Sequence, residues 1–152
     1  MDSLNHVKIV TPDPAAVDRF LREVLDIPAG WTIGEGPGDG PTREVATARE
    51  DDGSLTWESV GRFRGAGGGG GFIAGSSKSR QFQIFEGEKA HIWAVAVGTR
   101  NLEQAHQRCQ EQGVACSEIR LVPWGEGSIR AFFAEVGGIV FEVLRVEAAA
   151  PS

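Results

Sequence analysis

Two histidines and two oxygen-bearing residues stand at matching places along this chain. His6 lies in a short β-branched stretch and His91 opens another. Laying the segment from His6 over that from His91 without a gap sets Val7 on Ile92, Val17 on Leu102, Phe20 on Ala105 and Val24 on Cys109. Further on, Gln81-Phe82-Gln83-Ile84-Phe85 falls on Val140-Phe141-Glu142-Val143-Leu144. The chain reads as one unit used twice, each copy offering a nitrogen and an oxygen donor. Successive strand residues point to opposite faces, so Gln83 and Glu142 turn away from their apolar neighbours. Two imidazoles, an amide oxygen and a carboxylate suit a divalent ion such as Zn, Ni, Co, Mn or Fe(II). Such an ion acts as a Lewis acid on a substrate oxygen.

Other residues are candidates around that set. Glu44 and Glu58 fall on the expected middle strands of the first copy. A one-residue shift of register exchanges Glu58 for Trp57 on the inner face. Arg80 and Arg130 are candidates for binding a substrate carboxylate or phosphate, which guanidinium groups grip with two hydrogen bonds. Trp57 and Trp93 are candidates for lining an apolar pocket, as is Trp124. Trp93 follows His91 by two positions and so is expected on its strand face. His106 reads as a helix residue outside the site. Cys109 reads as a small buried hydrophobe, and neither it nor Cys116 has metal-finger spacing.

The elements that must position these groups follow from pattern. Residues 5–11 read as a strand. Asp13 and Pro14 then start a helix, with Val17, Phe20, Leu21, Val24 and Leu25 as its apolar stripe. Residues 34–40 read as an irregular loop. Residues 42–49 and 55–63 read as strands joined by the turn Asp51-Asp52-Gly53-Ser54. The glycine tract 65–71 reads as a flexible loop or lid, since glycine loses most backbone entropy on ordering. It lacks the Lys-Ser/Thr pair of a nucleotide P-loop. Strands follow at 72–74, 80–86 and 91–97. Asn101 is expected to cap a helix that Gly113 ends, and strands at 118–122, 128–135 and 139–146 complete the second copy. The organisation is a first module over 1–88, longer by the glycine-rich insertion, a second over 89–147, and a disordered tail over 148–152.

Composition narrows the classes. Of 152 residues, 41% are hydrophobic, enough for a core, and the formal net charge of −6 argues against nucleic acid or an anionic membrane as partner. No apolar run reaches the roughly 18 residues of a membrane span, and the start does not read as a signal peptide. A cytoplasmic protein acting on a small molecule is expected.

A tandem βαβββ unit with His on each first strand and Gln or Glu on each last strand resembles the vicinal oxygen chelate superfamily. That group includes glyoxalases, methylmalonyl-CoA epimerases, extradiol dioxygenases and bleomycin-type resistance proteins. The His6, Gln83, His91, Glu142 pattern is most similar to the epimerase-like members. The resemblance implies an α+β fold in which two modules form a half-barrel cup, a divalent metal held by those four residues, and commonly a homodimer. It implies an isomerase, epimerase or lyase that removes a proton next to a carbonyl, with Glu142, Glu44 or Glu58 as the catalytic base, and stabilises the enolate on the metal. A second expectation is an Fe(II) oxygenase using His6, His91 and Glu142. A third is a non-enzymatic drug-binding protein. The turn before the last strand, Glu135-Val136-Gly137-Gly138, departs from the family's usual aspartate-proline-aspartate-glycine.

Overall fold

Alternation of inward and outward side chains builds one mixed sheet from this chain. The computed structural model describes residues 3–27, 29–32, 47–63, 71–74, 81–124 and 127–147. Among them nine strands share the sheet: β1 (Ser3–Thr11), β2 (Ala29–Thr32), β3 (Gly71–Ala74), β4 (Gln81–Glu86), β5 (His91–Gly98), β6 (Ala115–Cys116), β7 (Arg120–Trp124), β8 (Gly127–Val136) and β9 (Ile139–Glu147). Their order is β2-β3-β4-β1-β5-β9-β8-β6, with β7 also on β8. β6 and β7 pair with successive stretches of β8 and act as one interrupted edge. At the centre β1 and β5 run antiparallel, and each has a parallel partner from its own half, β4 or β9. The two halves are thus laid out alike around the β1/β5 pair. The α+β class and tandem arrangement expected from the sequence are those observed.

The β8–β9 hairpin closes on Gly137 and Gly138, with φ of +60° and +82°. Two consecutive left-handed residues match the twist of paired strands, and glycine adopts them without a steric penalty. The departure from the family's usual turn therefore still makes a tight hairpin.

Two helices cover the outer face. α1 (Pro14–Arg19) begins as expected, with Asp13 Oδ1 accepting from the Ala16 amide at 3.1 Å. It widens into a π-helical turn over Phe20–Val24. That turn changes the angular spacing, so the expected apolar stripe does not all face inward. Leu21 is buried against Ile84, whereas Phe20, Val24 and Leu25 are exposed. α3 (Leu102–Glu111) buries Leu102 against Phe132 and Ala134. Asn101 precedes it but caps it without a side-chain hydrogen bond.

The inner face is covered differently from expectation. Residues 55–63 do not form a strand; Trp57–Phe63 form helix α2. The cause is a reciprocal cap, in which Thr56 Oγ1 accepts from the Ser59 amide at 2.9 Å and Ser59 Oγ accepts from the Thr56 amide at 2.8 Å. This satisfies amides that a helix start otherwise leaves open. The expected turn before it forms, with Gly53 at φ +86° and Asp52 Oδ1 accepting from the Ser54 amide. Leu55 and Val60 pack with Val10, Phe85, Trp93, Ala94, Phe133 and Val140 into the inner core. The expected strand over 42–49 lies mostly outside the described residues, and residues 47–50 are not strand. Glu44, Arg80 and the glycines at 65–70 also lie outside them.

Candidate active site

Period-two alternation on β1 turns His6, Lys8 and Val10 inward, and all three are buried. Gln83 faces inward on β4 beside Lys8, because Phe82 and Ile84 pack outward with Leu21. On β9 Glu142 faces inward while Val143 packs outward against the α3 side. Between β1 and β9 runs β5, whose Ala94 lies opposite Lys8 and whose Ala96 lies opposite both His6 and Glu142. These two methyl side chains leave room above β5. A long side chain from β1 can then reach β9.

Lys8 does so. Its Nζ donates to Glu142 Oε2 at 2.8 Å, and both side chains are within 5% of full burial on the residue scale. The same ammonium lies 4.7 Å from the Trp93 ring centroid and 5.6 Å from that of Phe133. Aromatic faces attract cations, the more so when water is excluded. His6 approaches from the same side, with Nε2 3.9 Å from Glu142 Oε1. Its Nδ1 is 2.8 Å from Asn5 Oδ1. An amide oxygen only accepts, so the proton is assigned to Nδ1 and the Nε2 lone pair faces the cluster. Burial, and then the positive charge of Lys8, hold the His6 pKa down to about 4, against weaker upward pulls from Glu142 and Gln83. The imidazole is therefore neutral near pH 7. Glu142 Oε1 and Gln83 Oε1 are buried with no hydrogen-bond partner among the described residues. Acceptors left open in this way normally cost free energy and point to a role.

The structure brings together His6, Gln83 and Glu142 of the expected set, but not His91. His91 lies opposite Val10, four positions along β1 from His6, which is roughly 13 Å at strand rise. Its Nδ1 is 2.8 Å from the Lys89 carbonyl instead. The strand pairing does not follow the gap-free overlay of the two copies. Gln83 pairs with Lys8 and Glu142 with Ala96. If Gln83 and Glu142 are equivalent, Lys8 matches Ala96, and His6 two residues earlier matches Ala94. The second copy thus carries a methyl group where the first carries an imidazole. A register irregularity between Lys8 and Ile9 passes over Trp93 on β5, and such a bulge re-aims a side chain. Trp93 points into the inner core, 5.6 Å edge-to-face from Phe85, its Nε1 donating to the Val60 carbonyl at 3.3 Å.

The other candidates divide. Trp57 packs 4.8 Å edge-to-face on Phe133, beside the cluster, and its Nε1 donates to the Glu118 carbonyl. Glu58 does not face the cluster: it is exposed on α2 and accepts from Arg120 Nη1 at 3.0 Å. Arg130 is exposed on β8, whereas its neighbours Ile129 and Ala131 are buried on the inner side. It alternates to the face opposite Glu142. His106 packs on Phe132 outside the site, as expected. Lys8 is the residue of this cluster that residue-type reasoning missed. Its position, two after His6 on an alternating strand, was the available signal.

A four-ligand divalent centre does not fit these residues. One nitrogen donor is replaced by Ala94, and the carboxylate already holds an ammonium. Two unit like charges about 4 Å apart repel by roughly 4 kcal/mol at an effective dielectric of 20, and a dication doubles that.

A family profile described as Glyoxalase/Bleomycin resistance protein/Dioxygenase superfamily matches residues 3–143. Comparison with curated protein sequences gives no match. Among solved structures, methylmalonyl-CoA epimerase from Mycobacterium tuberculosis is similar with a TM-score of 0.59 at 15% identity, over 97% of this chain and 88% of that one. A variant of methylmalonyl-CoA epimerase from Streptomyces coelicolor, in complex with 2-nitronate-propionyl-CoA, gives 0.55 at 13% identity, over 95% and 97%. A mutant of 4-hydroxymandelate synthase from the same organism gives 0.66 at 9% identity, over 99% of this chain and 50% of that one. Likeness at these identities is likeness of fold.

Proposed function

The chain belongs to the Glyoxalase/Bleomycin resistance protein/Dioxygenase superfamily, and from that membership we propose an enzyme that moves a proton on the carbon next to a carbonyl of a small molecule. The observation that carries this reading is Glu142. Its carboxylate is buried, anchored through Oε2 by Lys8, and open at Oε1. An anchored carboxylate with one open oxygen is the geometry of a general base.

In this reading Glu142 Oε1 takes the α proton. The C–H electron pair becomes the C=C of an enolate, and the carbonyl oxygen gains the charge. Gln83 orients the substrate through its amide. His6, neutral and 3.9 Å from Glu142 Oε1, is placed to receive the proton or return it. Return to the opposite face gives an epimerase, return to the neighbouring carbon an isomerase, and loss of a β substituent a lyase. Trp57, Trp93, Phe85 and Phe133 give the site its apolar wall. The reading includes a homodimer, which the exposed Phe20, Val24 and Leu25 suit.

The oxygenase reading has the likeness to 4-hydroxymandelate synthase in its favour, but its triad needs His91 beside His6. The direct test is solvent deuterium wash-in over a panel of thioesters, 2-oxo acids and β-dicarbonyl compounds. Native protein is expected to label the α carbon of at least one class, and Glu142→Gln to lose that labelling by at least 100-fold while keeping its circular dichroism. Labelling that survives in Glu142→Gln would remove Glu142 from the base role. Turnover that only consumes oxygen would favour the oxygenase, and tight binding of aromatic compounds with no turnover the drug-binding protein.

A further inference from the structure

We propose that Lys8 takes the place of the divalent ion in this centre, so that the site carries its own covalently attached cation and works without metal. The inference deepens the reading of the inner-face cluster as the active centre and rests on it.

The cluster supplies everything a small cation needs. Glu142 Oε2 accepts from the ammonium at 2.8 Å, and the Trp93 and Phe133 rings lie beside it at 4.7 and 5.6 Å. The residue facing Lys8 across the β1/β5 pair is Ala94, which is also the position equivalent to His6. One substitution pattern thus explains two facts: the missing nitrogen donor opens the volume, and the lysine enters it. Charge agrees. Lys8 and Glu142 balance each other, so an added dication would leave a buried excess of two positive charges. An ammonium has three N–H groups. One holds Glu142, and the others can hold the oxygen of an enolate or carboxylate as it gains charge, the duty otherwise met by the metal.

The test reads metal binding and needs no substrate, so it stands or falls separately from the proton-transfer reading. Full-length protein is stripped with EDTA, dialysed, and titrated calorimetrically with Zn, Ni, Co and Mn at pH 7.5, with bound metal counted by elemental analysis. Native protein is expected to bind none of them at the centre below millimolar concentration. Lys8→Ala is expected to gain about one equivalent, at least 100-fold tighter, through His6, Gln83 and Glu142, and Lys8→Ala/Glu142→Gln to lose it again. Lys8→Gln, which removes the charge but keeps an N–H for Glu142, provides the same comparison should the alanine variant fail to fold. One equivalent bound by native protein and lost in His6→Ala would overturn the proposal. So would failure of every folded Lys8 variant to gain metal, since Lys8 would then not be what keeps the ion out.

Discussion

A histidine sealed beside an ammonium makes stability depend on pH in one direction. Folded His6 titrates at about 4, against 6.5 when unperturbed, chiefly because burial disfavours its charged form. Between those values the unfolded chain binds more protons than the folded one. Stability therefore rises with pH across the window: the contribution is complete above about 6.5 and is lost as pH falls through about 4. A shift of this size corresponds to about 3 kcal/mol. Urea unfolding at pH 7.5 and 4.5 is expected to show a larger loss for native protein than for His6→Gln, which has no such group. Equal losses would mean that His6 titrates alike in the folded and unfolded chains. In the proposed reading that environment keeps the His6 imidazole neutral beside Glu142 Oε1, so a proton it receives is readily returned.

At the scale of elements, α2 decides how the inner face is closed. Its start depends on the hydroxyl of Thr56, which accepts from the Ser59 amide and donates to Glu50 Oε1 at 3.0 Å. Its Val60 carbonyl fixes the Trp93 indole beside Lys8. Thr56→Ala is expected to cost about 1 kcal/mol, a fall in Tm of roughly 2–4 °C for a chain of this size, with Thr56→Ser close to native. Differential scanning calorimetry checks this, and equal Tm values for the two variants would show that the cap contributes nothing. The same element shows what was legible in the sequence. Alternation over residues 55–63 looked like a strand, yet a two-sided cap at Thr56 and Ser59 outweighed it, and Glu58 went to the surface with it. On β4 and β9 alternation was sound, because Phe82, Ile84 and Val143 have an outer core to fill, and Gln83 and Glu142 were placed by elimination. The place of the second histidine along the sheet is not legible by counting residues, which cannot detect the irregularity at Trp93. Lys8 was passed over because lysine usually seeks water, and only the alternation around it marked it as inward.

Across the whole molecule, the Lys8–Glu142 contact joins the two halves. Lys8 stands on β1 of the first and Glu142 on β9 of the second, with β5 between them. No helix among the described residues is long and apolar enough to cross a membrane, and the halves meet along one sheet whose inner face sets this pair, with His6 and Gln83, among apolar side chains. A buried ion pair in such a setting adds little net stability over apolar replacements, but losing one member strands the other at a cost of about 3–5 kcal/mol. These two residues form one unit across the sheet, and a double-mutant cycle measures their coupling directly. Urea unfolding at pH 7.5 would be followed for native protein, Lys8→Met, Glu142→Gln and the double variant. The expected result is a double variant less destabilised than the two single losses added together, by at least about 2 kcal/mol. Single losses that add to within about 0.5 kcal/mol would mean that Lys8 and Glu142 do not act on each other, and the centre described here would not exist.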